Sequence, residues 1–511
     1  MQKWAEQALR HGLRLVDKRK GWKSGFKLRN LLKENRNIAE YQLKSWDYSL
    51  MKKGEIVEGI VLKVNNKRAI VRIGIYEGIL YAKDAKWTRN WLSQIIRKGD
   101  VVQCKIDKIP QSIQKQFGKP VQFISDLPQL AAKKKKMLQL RLDRYPKVQG
   151  AIVVLDNKTG KVKAMVGGFS FSKSKWNNAT QAKRQVGSTV KPFIYTAALH
   201  NGYTPATIID DEPFRYEGPY AEGVWEPQNH ADKYLGPLTF RRALEKSKNV
   251  VTARITERMT PDRVLSYIRR FSIGDKWMPY MSISLGAFEE SPLNMAAAYT
   301  VYPNLGKRVE PYFVTKVTER NNSVIERNEP QSRQVLNKAT AYVMNYILQG
   351  VVQSGTGVIA RKLALKYDIP IAAKTGTTNE YTNAWIIGFT PNITVAVWVG
   401  YDKKIESLGK NGTGSEAAGP ILVAFLGPYL KELYEKDGEI LKTPKYRKPQ
   451  GVIMTLIDKY TGKLKTEFCK YAFLEAFLAG KEPSELCNED EHDNITDYYS
   501  DEELKEDEED M

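Results

Sequence analysis

Histidine is scarce in this chain, with four residues among 511. A catalytic Ser-His-Asp triad needs a histidine within hydrogen-bond reach of its serine, so the scarcity disfavours a histidine-based hydrolase. Cysteine is also rare, with three residues, which excludes a small scaffold held together by many disulfides. No apolar run approaches the roughly 20 residues that cross a bilayer, and the charged N-terminus lacks the apolar segment of a signal peptide.

Charge is abundant but unevenly distributed. The net charge is +22, whereas Glu489–Met511 holds thirteen acidic residues and one lysine, so the rest of the chain carries +34. Such a balance suits a polyanionic partner such as nucleic acid, an anionic membrane face or an acidic cell-wall polymer. A lysine-rich surface that is merely solvated is an equally good interpretation.

Hydrophobic periodicity predicts an α+β protein with an antiparallel sheet flanked by helices, plus a small β-barrel. Five short strands within residues 53–125 favour a barrel of the oligonucleotide/oligosaccharide-binding (OB) type. Because these strands carry few aromatic residues, nucleic acid is not expected as a partner. The expected segments are a helical linker (1–46), the OB-like barrel (47–130), a basic linker (131–149), an enzyme-sized domain (150–445), a C-terminal hairpin segment (446–487) and an acidic disordered tail (488–511).

Ser188 and Lys191 form one of seven Ser-x-x-Lys matches in the chain. Residues i and i+3 share a helix face, and a lysine of lowered pKa can take the proton of a serine. Pro192 is tolerated in the first turn of a helix, where its missing N–H would bond nothing. This context predicts that Ser188 lies at a helix start, where free backbone N–H groups stabilise an oxyanion.

Two further triplets follow in the same domain. The single Ser-x-Asn of the chain is Ser247-Lys248-Asn249, and Lys-Thr-Gly occurs at Lys158 and at Lys374. The first Lys-Thr-Gly reads as a hairpin turn, whereas Lys374-Thr375-Gly376 follows an apolar strand start and continues into Thr377. A glycine in a strand lets a substrate backbone lie close, and neighbouring hydroxyl and ammonium groups bind a carboxylate.

The order Ser-x-x-Lys, Ser-x-Asn, Lys-Thr-Gly occurs in penicillin-binding proteins and class A β-lactamases. With it, stretches such as "RQVGSTVKPFIYTAAL", "ALEKSKNVVTARI" and "AAKTGTTNEYTNAWIIGFTP" make the chain resemble the transpeptidase half of a class A (type 1A) penicillin-binding protein. The inserted OB-like barrel and the "AEQALRHGLRLVDKRKGW" linker are similar to those of the same family. Against a β-lactamase, the Ser-x-Asn carries Lys248 where those enzymes carry aspartate, and no deacylating glutamate motif is apparent.

The resemblance implies a serine D,D-transpeptidase that needs no metal and no cofactor. Ser188 would be acylated by a D-alanyl-D-alanine stem peptide, or by a β-lactam, with Lys191 as base. Ser247 would relay a proton and Asn249 would hold the substrate amide. Lys374 and Thr375 would shape the charge of the pocket, and Thr377 would bind the substrate carboxylate and lend its backbone N–H to the oxyanion hole. Thr375, Gly376 and Thr377 would together form the substrate-binding strand.

The resemblance also bears on the cysteines and on what surrounds the enzyme. From the residues alone, Cys469 and Cys487 are either free thiols or a disulfide; the resemblance implies the disulfide. It also implies a periplasmic location at the outer face of the inner membrane. The family's glycosyltransferase domain and membrane anchor are not visible in the sequence. Either the chain is a fragment of a longer protein, or the two halves are separately encoded and a separate glycosyltransferase or membrane-anchored protein is an expected partner. The contrasting hypothesis is a basic RNA-binding barrel on a scaffold, which leaves the ordered triplets unexplained.

Overall fold

The computed structural model describes residues 1–22, 28–46, 51–114, 137–403, 406–469 and 471–490. The chain forms two compact units, one from Met1–Leu13 and Val148–Met511 and the other from Arg14–Lys147. The predicted helical linker is therefore shared between the units. The predicted acidic tail lies outside the described residues from position 491 onwards, as does the lysine run at 131–136.

The N-terminal helix α1 (Gln2–Arg19) is amphipathic, as its hydrophobic spacing predicts. Ala5, Leu9 and Leu13 recur every four residues and are fully buried, which places them on one face of the helix. Lys18 and Arg19 occupy the last turn, where positive charge interacts favourably with the helix dipole.

The smaller unit contains a closed five-stranded barrel, which confirms the predicted barrel. Its strands follow the order β1-β2-β3-β5-β4 around the barrel, and every pairing is antiparallel except the parallel pair β3 and β5. Two short helices and a 3-10 turn (Ala82–Thr88) connect the strands. The bounds are β1 (Ile56–Val64), β2 (Arg68–Ile73), β3 (Tyr76–Tyr81), α2 (Leu92–Ile95), β4 (Val101–Lys108), α3 (Gln111–Gln114) and β5 (Leu138–Leu142).

The predicted boundary of the barrel at residue 130 is wrong. Strand β5 lies within the segment that the sequence indicated to be a basic linker, 131–149. Leu138, Leu140 and Leu142 are buried and alternate with exposed Gln139 and Arg141, which is the pattern of a strand with one face in a core. The preceding lysine run hid this short alternation. Cys104 on β4 is fully buried, as expected for a small apolar side chain, and burial raises the pKa of its thiol.

The larger unit contains the predicted antiparallel sheet with flanking helices. The helices after the barrel are α4 (Lys191–His200), α5 (Phe240–Glu245), α6 (Asn249–Met259), α7 (Pro261–Arg269), α8 (Pro292–Tyr299), α9 (Lys338–Gln353), α10 (Arg361–Lys366) and α11 (Gly419–Tyr434). The strands are β6 (Gln149–Asp156), β7 (Val162–Val166), β8 (Arg184–Gln185), β9 (Ile208–Asp211), β10 (Tyr216–Glu217), β11 (Val224–Trp225), β12 (Gly236–Thr239), β13 (Glu289–Glu290), β14 (Lys307–Val309), β15 (Lys316–Thr318), β16 (Val324–Arg327), β17 (Ser332–Gln334), β18 (Ala372–Thr377), β19 (Asn383–Phe389), β20 (Ile393–Gly400), β21 (Glu435–Lys436), β22 (Glu439–Ile440), β23 (Val452–Asp458) and β24 (Ala472–Leu478).

Five of these strands form the central sheet in the order β18-β19-β20-β6-β7. Consecutive residues Ile152 and Val153 on β6 are both fully buried. Since successive side chains point to opposite faces of a strand, both faces of the sheet are covered. Helix α8 packs against β6 and β20, and α9 packs against β18. The strand that carries Lys374-Thr375-Gly376 therefore lies at an edge of the sheet.

The turn between β6 and β7 contains the first Lys-Thr-Gly of the sequence. The Asp156 carboxylate accepts hydrogen bonds from the backbone N–H groups of Lys158 and Thr159 at 3.1 and 2.9 Å, an Asx turn. A structural role in the hairpin turn thus accounts fully for this first Lys-Thr-Gly triplet, as the sequence indicated.

Candidate active site

Ser188 lies in a 3-10 turn, Gly187–Val190, that leads directly into α4. The sequence placed it at the start of the α-helix itself, and the tighter turn is the difference. The backbone N–H of Lys191 donates to the Ser188 carbonyl, so an i, i+3 relation still relates the two residues. Pro192 is in the first turn of α4, as its missing N–H requires.

Two glycines bring this turn close to strand β18. Gly187 has φ +52, a left-handed conformation that favours glycine, and a Cβ there would lie 2.9 Å from the Thr377 carbonyl oxygen. A Cβ on Gly376 would lie 2.8 Å from the Val186 carbonyl oxygen. Both positions therefore exclude a side chain, and the backbones around Ser188 and Thr377 approach each other closely.

The Lys191 side chain is fully buried. It reaches the loop of residues 246–248, which we call the Ser247 loop. Its Nζ donates to the Ser247 carbonyl at 2.6 Å, the Lys248 carbonyl at 3.0 Å and Asn249 Oδ1 at 2.7 Å. Burial lowers the pKa of Lys191 well below its usual value, and the positive charge of Lys374 lowers it further. The lysine of the first triplet is thus held against the second triplet.

The Ser247 loop lies between two helices of the larger unit. Helix α5 ends at Glu245 and α6 begins at Asn249, while Ser247 has φ +58. Lys248 is anchored by an ion pair with Asp211, Nζ to Oδ2 2.9 Å, and both side chains are buried. Asn249 Nδ2 donates to the Gln228 carbonyl at 2.8 Å. These contacts fix the left-handed bend that presents the Ser247 hydroxyl.

Lys374 joins the third triplet to the second. Its Nζ donates to Ser247 Oγ at 2.7 Å and to the Thr375 carbonyl at 3.1 Å. The side chain is fully buried, and burial lowers the pKa of Lys374 to about 7. Two buried amines of lowered pKa therefore meet at one loop, and such clusters are typical of active sites.

Residues outside the Lys-Thr-Gly triplet make hydrogen bonds to the threonine side chains of β18. Thr375 Oγ1 donates to Thr356 Oγ1 at 2.6 Å, and Thr377 Oγ1 accepts from the Gly414 backbone N–H at 2.9 Å. Within the described residues, the Ser188 hydroxyl makes no hydrogen bond, to Lys191 Nζ or to any other group. The arrangement offers a serine hydroxyl three residues before a buried amine of lowered pKa, and a hydrogen-bonded hydroxyl–amine pair formed by Ser247 and Lys374.

Several supporting residues were not found from the sequence. Asp211 anchors Lys248, Thr356 holds Thr375, and the Tyr299 hydroxyl donates to the Thr189 carbonyl at 2.6 Å. Each contacts its motif across a long stretch of chain, so no local pattern could have indicated it.

Cys469 and Cys487 are free thiols in this structure. Both are buried, and their sulfur atoms and a carboxylate oxygen of Asp458 all lie within 4.8 Å of one another. Burial raises the pKa of the Cys487 thiol to about 12. A disulfide needs sulfurs about 2.05 Å apart, so the predicted bond requires a further approach of the two side chains and stays a prediction.

In the part of the chain that the structure describes, no helix combines the length and the apolar character that crossing a bilayer demands.

Comparisons with known proteins agree with this geometry. The family model "Penicillin binding protein transpeptidase domain" matches residues 150–426, more than half of the chain. A model described as "Penicillin-binding protein 1A, C-terminal domain" matches residues 448–492, and one described as "S1 RNA binding domain" matches residues 50–114.

The chain is also similar to proteins named penicillin-binding protein 1A. Penicillin-binding protein 1A of Rickettsia bellii is 30% identical over 538 residues, which cover 98% of this chain and 61% of that protein. The crystal structure of penicillin-binding protein 1A from Haemophilus influenzae matches with a TM-score of 0.77 at 25% identity, over 95% of this chain and 72% of that one.

The PonA1 protein from Mycobacterium tuberculosis, solved in complex with penicillin V, matches with a TM-score of 0.50 at 26% identity, over 59% of this chain and 82% of that one. The chain spans about three fifths of the length of the first Rickettsia relatives. The family match covers all three triplets, which the fold brings to one place. The chain therefore belongs to the penicillin-binding protein transpeptidase family.

Proposed function

We propose that the chain is a serine D,D-transpeptidase that cross-links peptidoglycan stem peptides through an acyl-enzyme on Ser188. The convergence of Lys191 and Lys374 on the Ser247 loop, beside the turn that holds Ser188, is the observation that carries this proposal. A buried amine of lowered pKa is the base that a serine nucleophile requires when no histidine serves it.

In the acylation step, neutral Lys191 takes the proton of Ser188 as Oγ attacks the carbonyl of the D-alanyl-D-alanine bond. A neutral amine has two N–H donors, whereas Lys191 Nζ contacts three oxygen acceptors. One contact must therefore be released, and the lone pair then becomes available to the serine proton. The backbone N–H groups of Ser188 and Thr377 are the proposed oxyanion donors.

Breakdown of the tetrahedral intermediate releases the terminal D-alanine, whose amine must receive a proton. The Ser247 hydroxyl is the proposed relay, and Lys374 Nζ, which already donates to Ser247 Oγ, resupplies that proton. Asn249 is the proposed contact of the substrate amide. Thr375 and Thr377 are the proposed contacts of the substrate carboxylate, on an edge strand beside which an extended peptide can lie.

Transfer of the acyl group repeats this chemistry with a new nucleophile. The amine of a neighbouring stem peptide attacks the ester and passes its proton through the Ser247 hydroxyl back to Lys374. Lys191 returns the proton it took in acylation to Ser188 Oγ as the ester bond breaks, and the cross-link forms. A β-lactam enters the same first step, and the solved PonA1 protein contains penicillin V. We place the chain at the outer face of the inner membrane, with a glycosyltransferase or membrane-anchored protein as partner. No residue role in this scheme needs a metal or a cofactor.

Labelling with a fluorescent penicillin tests the proposal. We expect wild-type chain to be labelled covalently and Ser188→Ala to lose the label. Ser172→Ala is the matched control, since Ser172 and Lys175 have the same spacing without the other two triplets, and it should label like wild type. Equal labelling of Ser188→Ala and wild type would overturn the proposal.

A further inference from the structure

An open cavity with a volume of about 540 Å³ lies on the smaller unit, beside the segment that follows β3. We call it the barrel cleft. It is lined by Ala82, Lys83, Lys86, Arg89, Asn90, Trp91 and Gln94. None of the residue roles in the proposed transpeptidation involves this surface.

The barrel cleft is positively charged. Three of its seven lining residues are cationic and none is acidic. The nearby carboxylate of Asp84 lies 3.8 Å from Arg141 Nε. Among the described residues, Lys83, Lys86 and Arg89 have no carboxylate partner within salt-bridge distance, so their charge is complementary to an anion.

The cleft also exposes aromatic surface. The Trp91 side chain is 59% exposed, and Tyr81, at the end of β3, is 38% exposed. Lys83 Nζ lies 5.6 Å from the centroid of the Tyr81 ring, within the range of a cation–π contact. Exposed aromatic rings next to cations can bind a ligand that has both flat rings, which pack on the aromatic side chains, and negative charge, which pairs with the cations.

Internal hydrogen bonds and buried side chains fix the conformation of the segment between β3 and α2. The backbone N–H of Trp91 donates to Gln94 Oε1 at 2.9 Å, and Asn90 Nδ2 donates to the Thr88 carbonyl at 2.7 Å. Ala85 and Leu92 are buried in the barrel core. A segment fixed in this way loses little conformational entropy on binding.

We propose that the barrel cleft binds a peptidoglycan glycan strand through its sugar rings and the carboxylates of its stem peptides. This inference rests on the proposed function, which makes that strand the polymer the chain encounters. The apolar faces of amino sugars can pack on Trp91 and Tyr81, and the carboxylates can pair with Lys83, Lys86 and Arg89. Asn90 Oδ1 and Gln94 Nε2, the amide atoms that the internal contacts do not use, match the donor and the acceptor of acetamido groups.

A glycan strand fits this surface better than a nucleic acid does. Barrels that bind single strands stack successive bases on aromatic residues of the strand face. Here β2 has no aromatic residue, and Tyr76 on β3 is buried. The exposed rings sit instead at the end of β3 and beyond it, next to the cations.

The test measures binding of the full chain to fluorescently labelled, uncross-linked glycan strands that carry stem peptides, by fluorescence anisotropy. We expect Trp91→Ala to weaken binding about tenfold, while Trp91→Phe keeps most of it, since stacking on an aromatic residue has energies of that order. The triple variant Lys83→Gln/Lys86→Gln/Arg89→Gln should weaken binding by a similar factor and flatten its salt dependence. The charge-matched control, Lys33→Gln/Lys52→Gln/Lys53→Gln, should change binding less than about twofold, because a few surface charges outside the site are screened.

The outcomes separate this proposal from the proposed function. The glycan assignment would be overturned if the chain did not bind glycan strands, or if the cleft and control variants lost the same affinity for them. Tighter binding of single-stranded RNA than of glycan strands would also overturn it. Penicillin labelling of the wild-type chain, measured in the same preparation, tests the transpeptidase independently. Intact labelling without glycan binding overturns only the barrel-cleft proposal.

Discussion

Two buried lysines dominate the site at the scale of single residues. Lys191 and Lys374 are both fully buried, and burial is the first cause of the lowered pKa of each. Lys191 is held by oxygen acceptors of the Ser247 loop, whereas Lys374 contacts the Ser247 hydroxyl itself. The two amines can therefore serve the two proton transfers of an acyl transfer at separate positions.

Replacing Lys191 by arginine puts a permanent positive charge in place of the neutral amine and so removes the proposed base. A guanidinium does not deprotonate in proteins, so Lys191→Arg should lower the second-order rate constant of acylation by a fluorescent penicillin at least 100-fold. The wild-type rate should also fall at acidic pH, as Lys191 becomes protonated. Lys362→Arg, at an exposed position, is the control and should react at the wild-type rate. Labelling of Lys191→Arg within threefold of wild type would contradict the role of Lys191 as base.

Lys374 should leave a signature in the pH dependence of stability. Its pKa is about 7 in the folded chain against 10.5 for an ordinary lysine, so between these values the unfolded chain binds more protons. The free energy of unfolding must then rise with pH, and this one group contributes roughly 2 kcal/mol between pH 7 and pH 9. In Lys374→Met the rise should be smaller by that amount, as measured by urea unfolding at the two pH values. An identical rise in variant and wild type would show that Lys374 is not buried as an amine of lowered pKa.

At the scale of elements, a buried charge cluster joins the C-terminal hairpin β23–β24 to α5, the helix before the Ser247 loop. The Arg241 guanidinium donates to both carboxylate oxygens of Glu475 on β24 and to Glu245 Oε1 at 2.8 Å. All three side chains are buried, and Arg241 Cζ lies 5.2 Å from the ring centroids of Tyr346 and Phe473. Because Glu245 lies just before Lys246 and Ser247, the hairpin helps to fix where the loop begins.

Removal of Glu475 leaves Arg241 paired with Glu245 but takes the acceptors from two buried N–H groups of the guanidinium, Nε and Nη2, and breaking such a buried charged cluster is strongly destabilising. We therefore expect Glu475→Ala to lower the free energy of unfolding by about 3–5 kcal/mol, measured by urea denaturation. Glu467→Ala, on an exposed position of the same segment, should change it by less than about 0.5 kcal/mol. A loss below about 1 kcal/mol for Glu475→Ala would mean that the cluster does not hold the hairpin to α5.

The sequence predicted local features well and long-range contacts poorly. The helix at the start of the chain, the hairpin turn at the first Lys-Thr-Gly and the three triplets each depend on residues that are close together in the sequence. Strand β5 was missed because five alternating residues after a lysine run are too short a pattern to separate from a linker. Asp211 and Thr356 were missed because their partners are distant in sequence, and only the fold brings them together.

At the scale of the whole molecule, the two compact units carry different chemistry. The larger unit holds the three triplets and the proposed acyl transfer, and the smaller unit carries the barrel cleft. The positive net charge of the chain is compatible with an acidic polymer as the common ligand. On this account the smaller unit binds the strand whose stem peptides the larger unit cross-links.

The most direct measurement is the site of the covalent adduct after treatment with penicillin, located by mass spectrometry of the digested chain. The account predicts one equivalent of penicilloyl ester on the peptide that contains Ser188, with fragment ions that place it on this serine and not on Thr189. An adduct on another serine, or an unmodified chain after saturating treatment of folded protein, would contradict the assignment of Ser188 as the nucleophile.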